Sequence, residues 1–138
     1  MELKQAIHDE ICKFCDRGDQ LADEEKFSEA IQEYKKARKL IPTPKSDWEA
    51  ETWVATALGD ARYFLQEYDE ASKDFYDAIE GPGGEENPFI NLRLGQCLYE
   101  IGDFESSQMH LLMAYRITGS SIFEDEPEKY FSAIEDMV

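Results

Sequence analysis

The sequence predicts an all-α chain of three stacked helical hairpins followed by a C-terminal capping helix, and three observations predict it. A glycine-centred segment recurs three times with the same internal spacing. Helix breakers cluster between the recurrences, and within each one small and large apolar residues fall at helical intervals. The segments are CDRGDQLADEEKFSEAIQEYKKARKLIP, ATALGDARYFLQEYDEASKDFYDAIEGPG and LRLGQCLYEIGDFESSQMHLLMAY. Gly18, Gly59 and Gly95 are each followed nine residues later by an aromatic ring (Phe27, Tyr68, Phe104), and three residues after that by Ala30, Ala71 or Ser107. Four residues further stand Tyr34, Phe75 and Leu111, and three beyond those Ala37, Ala78 and Ala114. A glycine on the first helix lets the second approach closely, and the later positions form the facing stripe at i, i+4 and i+7. Each hairpin alone leaves an apolar side open. Stacking closes it, with about three repeats the minimum for stability.

The first hairpin is predicted over residues 2–42, with helices over 2–24 and 27–40 stopped by Pro42 and Pro44. Its basic run KKARK, 35–39, ends a helix, where cations complement the dipole; this favours a structural role over a nucleic-acid patch. The second hairpin is predicted over 47–82, with helices over 47–65 and 68–80 broken by Gly81, Pro82, Gly83 and Gly84. The third is predicted over 87–118, with helices over 87–101 and 104–118. Beyond Gly119, Pro127 suits a first helical turn and Tyr130, Phe131, Ile134 and Met137 share one stripe, which predicts the capping helix over 126–137. The FEDEPE run, 123–128, reads as a solvated helix start. At 138 residues the chain fits a single domain, 1–138.

With that spacing the chain resembles the tetratricopeptide-repeat (TPR) family, most closely through ALGDARYFLQEYDEASKDFYDAI and next through LRLGQCLYEIGDFESS; the resemblance covers residues 11 to 118. It implies hairpins stacked as a right-handed superhelix. The chain departs from the family in two ways. The glycines lie 41 and 36 residues apart against the family's 34, and Arg17, Arg62 and Asn91 stand where a large apolar residue is usual.

Charge narrows the function classes. Fourteen Lys and Arg face 31 Asp and Glu for a net charge of −17, and −15 of it falls after residue 39. Such a field repels phosphate backbones and anionic lipid and attracts basic proteins, so neither a nucleic acid nor a membrane is the expected partner. An apolar content of 42% is too rich for a disordered acidic chain. The N-terminal sequence does not resemble a signal peptide, no run is apolar enough to span a bilayer, and three cysteines make an odd number. The expected setting is therefore cytoplasmic.

Candidate chemistry is sparse. His8, Cys12 and Cys15 share a helix face at i, i+4 and i+7, with Asp19 one turn further, so they could converge on an ion. No second C-x-x-C completes a tetrahedral site, however, and the repeat spacing already accounts for these positions as packing or surface-lining residues. No nucleophile is brought to a base by the repeat, so no catalytic residue, metal or cofactor is expected.

The family resemblance implies a concave groove lined by the second, fifth, ninth, twelfth and thirteenth positions of each first helix. These are Cys12, Cys15, Asp19, Ala22 and Asp23; then Trp53, Thr56, Asp60, Tyr63 and Phe64; then Phe89, Leu92, Gln96, Tyr99 and Glu100. One branch of the family grips C-terminal carboxylates with Lys, Asn and Arg. The matching positions here read Cys15, Asp19, Asp60, Phe89 and Arg93, so only the arginine survives. An acidic and aromatic groove implies a ligand presenting Lys or Arg beside apolar side chains.

The stretches NPFINLRLGQCLYEIGDFESS and LLMAYRITGSSIFEDEPEKYF resemble small bacterial TPR proteins encoded beside polymorphic or Rhs-type toxins. That resemblance implies an immunity protein, an antitoxin neutralising a basic cognate toxin domain. The alternative is a chaperone similar to those of type III secretion translocators, holding an extended client segment.

Overall fold

The computed structural model describes residues 3–138, so residue 2, the predicted start of the first helix, lies outside the described residues. Six α-helices form three hairpins: α1 (Gln5–Asp23) with α2 (Phe27–Lys39), α3 (Glu49–Phe64) with α4 (Tyr68–Glu80), and α5 (Pro88–Glu100) with α6 (Phe104–Thr118). Each hairpin packs on the next through α2 against α3 and α4 against α5, while α1, α3 and α5 also touch in turn. No strand occurs among the described residues.

The repeated glycines are where the helices of a hairpin come closest. Gly18 lies under the Tyr34 ring; a Cβ at Gly59 would stand 2.8 Å from the Phe75 ring, and one at Gly95 2.6 Å from the Leu111 side chain. The tight turns of the hairpins are also equivalent. Each first helix ends in a left-handed residue, Glu25 (φ 61°), Gln66 (φ 62°) or Gly102 (φ 89°). The next amide donates back to a helix carbonyl in all three: Lys26 to Leu21 at 2.8 Å, Glu67 to Arg62 and Asp103 to Leu98 at 2.9 Å. Only the third turn uses the residue for which that conformation carries no Cβ penalty.

Two of the three polar departures from the repeat pattern are paired with a second helix, while exposed Arg17 lies 5.7 Å from the centroid of the Phe14 ring. Arg62 Nη1 donates to Asp74 Oδ2 at 2.7 Å, and Asn91 Oδ1 lies 2.9 Å from His110 Nδ1 while its amide nitrogen donates to the Glu85 and Asn87 carbonyls. Within the KKARK run, Arg38 crosses to the second hairpin, donating to both Glu51 oxygens at 3.1 and 2.7 Å and to Asp77 at 2.8 Å. The end of α2 is instead served by Lys45 Nζ, which donates to the Arg38 and Ile41 carbonyls.

The C-terminal segment differs from the helix expected over 126–137. It contains a 3₁₀ turn (Ser120–Phe123), a short helix α7 (Glu128–Ser132) and a second 3₁₀ turn (Glu135–Met137). Gly119, at φ 94°, redirects the chain after α6, and Phe123, Tyr130 and Ile134 are buried against Leu92, Leu111 and Ala114. Met137, expected on the same stripe, is exposed because the helix stops before reaching it.

Candidate functional site

The concave-face positions divide into an open set and a closed set. On α1, Asp19 and Asp23 are exposed, Ala22 and Cys12 are half-buried, and Cys15 is buried with its thiol pushed up to about 12 by desolvation. Cys15 therefore belongs to the core rather than to the lining expected of it. The cause is its packing in the cluster built on Ile11, Tyr34 and Val54. Cys12 Sγ lies 3.5 Å from His8 Nε2, and the His8 ring meets Trp53 edge-on with centroids 6.4 Å apart.

On α3, Trp53 and Phe64 are exposed and Thr56, Asp60 and Tyr63 are partly exposed. Phe64 stacks on Phe27 of α2 at 5.2 Å, joining the rims of the first two hairpins. Between these hairpins lies a cavity of about 490 Å³. It is lined by Asp19, Asp23 and Asp60, by the rings of Phe27, Tyr34 and Phe89, and by the small side chains of Ala22, Thr56, Ala57 and Ala61. The Tyr34 hydroxyl donates to Asp19 Oδ1 at 2.6 Å, which fixes that carboxylate on the wall.

On α5 the expected lining is mostly covered. Leu92 and Gln96 are 2% and 0% exposed, and Phe89, Tyr99 and Glu100 are partly buried. The cover is the C-terminal segment. Glu126 Oε1 accepts from Arg93 Nη1 and from Gln96 Nε2, both at 2.7 Å. Glu100 Oε1 takes the Tyr130 hydroxyl at 2.9 Å and pairs with Lys129. Tyr130 also meets Tyr99 edge-on at 5.5 Å. Glu126, expected in a solvated helix start, instead turns inward because Arg93 supplies a buried countercharge.

Arg93 is the organising residue of this region. Its Nε donates to Asp60 Oδ1 at 2.8 Å and its Nη1 to Gln96 Oε1 at 2.8 Å. Its guanidinium carbon lies 4.6, 5.4 and 5.0 Å from the ring centroids of Tyr63, Phe64 and Phe89. Burial alone would lower the pKa of Arg93, but Asp60 and Glu126 outweigh it and raise the value. The one arginine matching a carboxylate-gripping position is thus engaged by the protein's own acids. Glu126, Lys129, Tyr130, Phe27 and Tyr34 were outside the expected set. Glu126, Lys129 and Tyr130 reach α5 from a distant segment, which helical periodicity does not encode, whereas Phe27 and Tyr34 stand in the first hairpin's own repeat spacing.

Comparison with known proteins bears on the fold. The structure is similar to that of the type III secretion chaperone SycD of Yersinia enterocolitica, solved in complex with a peptide of the translocator YopD. The TM-score is 0.72 at 15% sequence identity, over 94% of this chain and 92% of that one. The chain shares a helical-repeat fold with that chaperone. No protein-family model matches the sequence, and no curated protein matches it significantly. Among the described residues no helix is long and apolar enough to cross a membrane.

Proposed function

We propose that this protein is a non-catalytic binding module that holds part of a basic protein partner across the open concave face of its first two hairpins. The observation that carries the reading is the cavity between those hairpins, with carboxylates and aromatic rings on its walls, beside a third hairpin already covered by the chain's own C-terminus. Exposed Trp53 and Phe64 supply apolar anchors, and the net charge of −17 favours fast association with a basic surface. Holding an extended client segment, in the manner of a secretion chaperone, is the reading nearest to the fold likeness, since SycD was solved with a peptide. Neutralising a basic toxin domain, as an immunity protein in a bacterial cytoplasm, is the second reading; the net charge of −17 is complementary to a folded basic surface.

The test is a pull-down from the source cell followed by titration of the captured partner, whole and as overlapping peptides, against this protein. Client holding predicts a peptide that binds within about threefold of the whole partner, because the interface is then local in sequence. Immunity predicts that only the folded domain binds and that its activity is lost on binding. Unchanged partner affinity in a Trp53→Ala, Phe64→Ala double variant with native helix content would remove the groove from either reading.

A further inference from the structure

We infer that the cavity between the first two hairpins is the subsite for one lysine or arginine side chain of an extended partner segment. This inference rests on the groove-binding reading above and names the chemistry of the cavity within it. Three carboxylates stand on the walls, and their bonding to the rest of the protein is incomplete. Asp19 uses Oδ1 for the Tyr34 hydroxyl, and Asp60 uses Oδ1 for Arg93. Oδ2 of each, and both oxygens of Asp23, accept no side-chain hydrogen bond from the described residues. Asp19, Asp23 and Asp60 line the open cavity and none of their oxygens is buried without a partner, so water or a ligand can reach them.

The rest of the lining suits a long cationic side chain better than a bare ion. No three of these acids converge closely enough to hold a metal among the described residues, whereas a guanidinium or ammonium on an alkyl stem can reach carboxylates spread along a wall. The short alanine and threonine side chains of the lining leave room for that stem, and the Phe27 and Phe89 rings of the same lining add aromatic surface beside the charge. The protein already binds a cation in this way next door. Arg93 is held by Asp60 and Glu126 among three rings, and Asp60 and Phe89 belong to both sites. At the rim, the Phe27 and Phe64 stack leaves half of Phe64 exposed, which places an apolar contact beside the cationic one.

The experiment must separate a site from a field, because a chain of −17 attracts any basic peptide. The probes are labelled peptides with one central Lys, Arg or citrulline flanked by leucines, read by fluorescence anisotropy and, in a Trp48→Phe background that leaves a single indole, by the emission of Trp53. Asp19→Asn with Asp23→Asn is compared with Glu85→Gln and Glu86→Gln, which remove the same charge from the exposed loop before α5. The asparagine retains an acceptor for Tyr34, and circular dichroism checks the fold.

The inference predicts that the Lys or Arg peptide binds at least about tenfold more tightly than the citrulline peptide, with Arg favoured over Lys if stacking dominates. It also predicts that the wall variant loses about tenfold in affinity while the loop variant loses less than about twofold. Equal losses in the two variants, with Trp53 still responding, would overturn the subsite and leave the groove reading standing. A Trp53 signal indifferent to every peptide would count against both.

Discussion

The fifth and ninth positions of the first helix meet opposite fates in the second and third hairpins. In the second they are Thr56 and Asp60, partly exposed on the wall of an open cavity; in the third they are Leu92 and Gln96, sealed under the C-terminal segment. The acids differ in the same sense. Asp23 at the open end has no side-chain partner among the described residues, whereas Glu100 at the closed end holds both Lys129 and Tyr130. Asp60 lies at the boundary and serves both regions, accepting from Arg93 through Oδ1 while it lines the cavity. A position in a repeat therefore defines a direction, while the neighbouring chain decides whether a ligand can use it.

The comparison can be broken most severely at Tyr130. It is 2% exposed and packs on Tyr99 while bonding Glu100, so Tyr130→Ala should cost about 3–4 kcal/mol. Urea denaturation measures the loss, and hydrogen exchange should show α5 deprotected more than α1. Equal deprotection of the two helices would mean that the cap does not act locally.

Arg93→Met is the next largest. It leaves Asp60 and Glu126 without their buried cation, for a cost of about 3 kcal/mol, and releases Glu126 from the closed end. The double variant with Glu126→Gln should recover part of that loss, because one orphaned charge is then gone. Additive losses in the cycle would show that the two residues are uncoupled.

Acidification should sharpen the contrast between hairpins. Burial lowers the pKa of His110 in the third, so the stability it supplies is full above its ordinary value of 6.5 and is lost as pH falls through the depressed folded value. Asp74 in the second behaves oppositely. Desolvation, only partly offset by Arg62 and Arg38, raises it from 3.8 to about 6, so its contribution is largest below 3.8 and declines as pH rises through about 6. Between about pH 7 and pH 5 the third hairpin should therefore lose protection relative to the second. His110→Gln should flatten the change, and hydrogen exchange resolved by helix would detect its persistence.

The smallest effect is at the turns. Gln66 in the open half adopts the left-handed conformation that Gly102 occupies in the closed half, so Gln66→Gly should stabilise by about 0.5–1 kcal/mol despite the added unfolded-state freedom. A lowered melting temperature would show that the Gln66 side chain contributes more than its backbone costs.

Much of the architecture is legible in the sequence. Gly59 with Phe75 and Gly95 with Leu111 are sequence-encoded close approaches, because a missing Cβ and a large partner at fixed spacing require helices to meet there. The acidic and aromatic character of the open face was equally readable from Asp19, Asp60 and Phe64. Arg62 and Asn91 depart from the family pattern in sequence, and each has its partner on another helix; Arg38, expected to complement its own helix dipole, instead pairs across to the second hairpin. The family resemblance puts Cys15, Leu92 and Gln96 on the groove, but the core of the first hairpin buries Cys15 and the C-terminal segment covers Leu92 and Gln96.

By itself the sequence determined the all-helical class, the three hairpins, their breaks and their internal contacts, because these depend on local propensity and on spacing within about forty residues. Only the tertiary structure decided which part of the concave face is open. That choice depends on Gly119 redirecting the chain and on Glu126, Lys129 and Tyr130 reaching α5 from about thirty residues away. Helical periodicity reports the faces a helix presents; it carries no record of the distant segment that covers one of them.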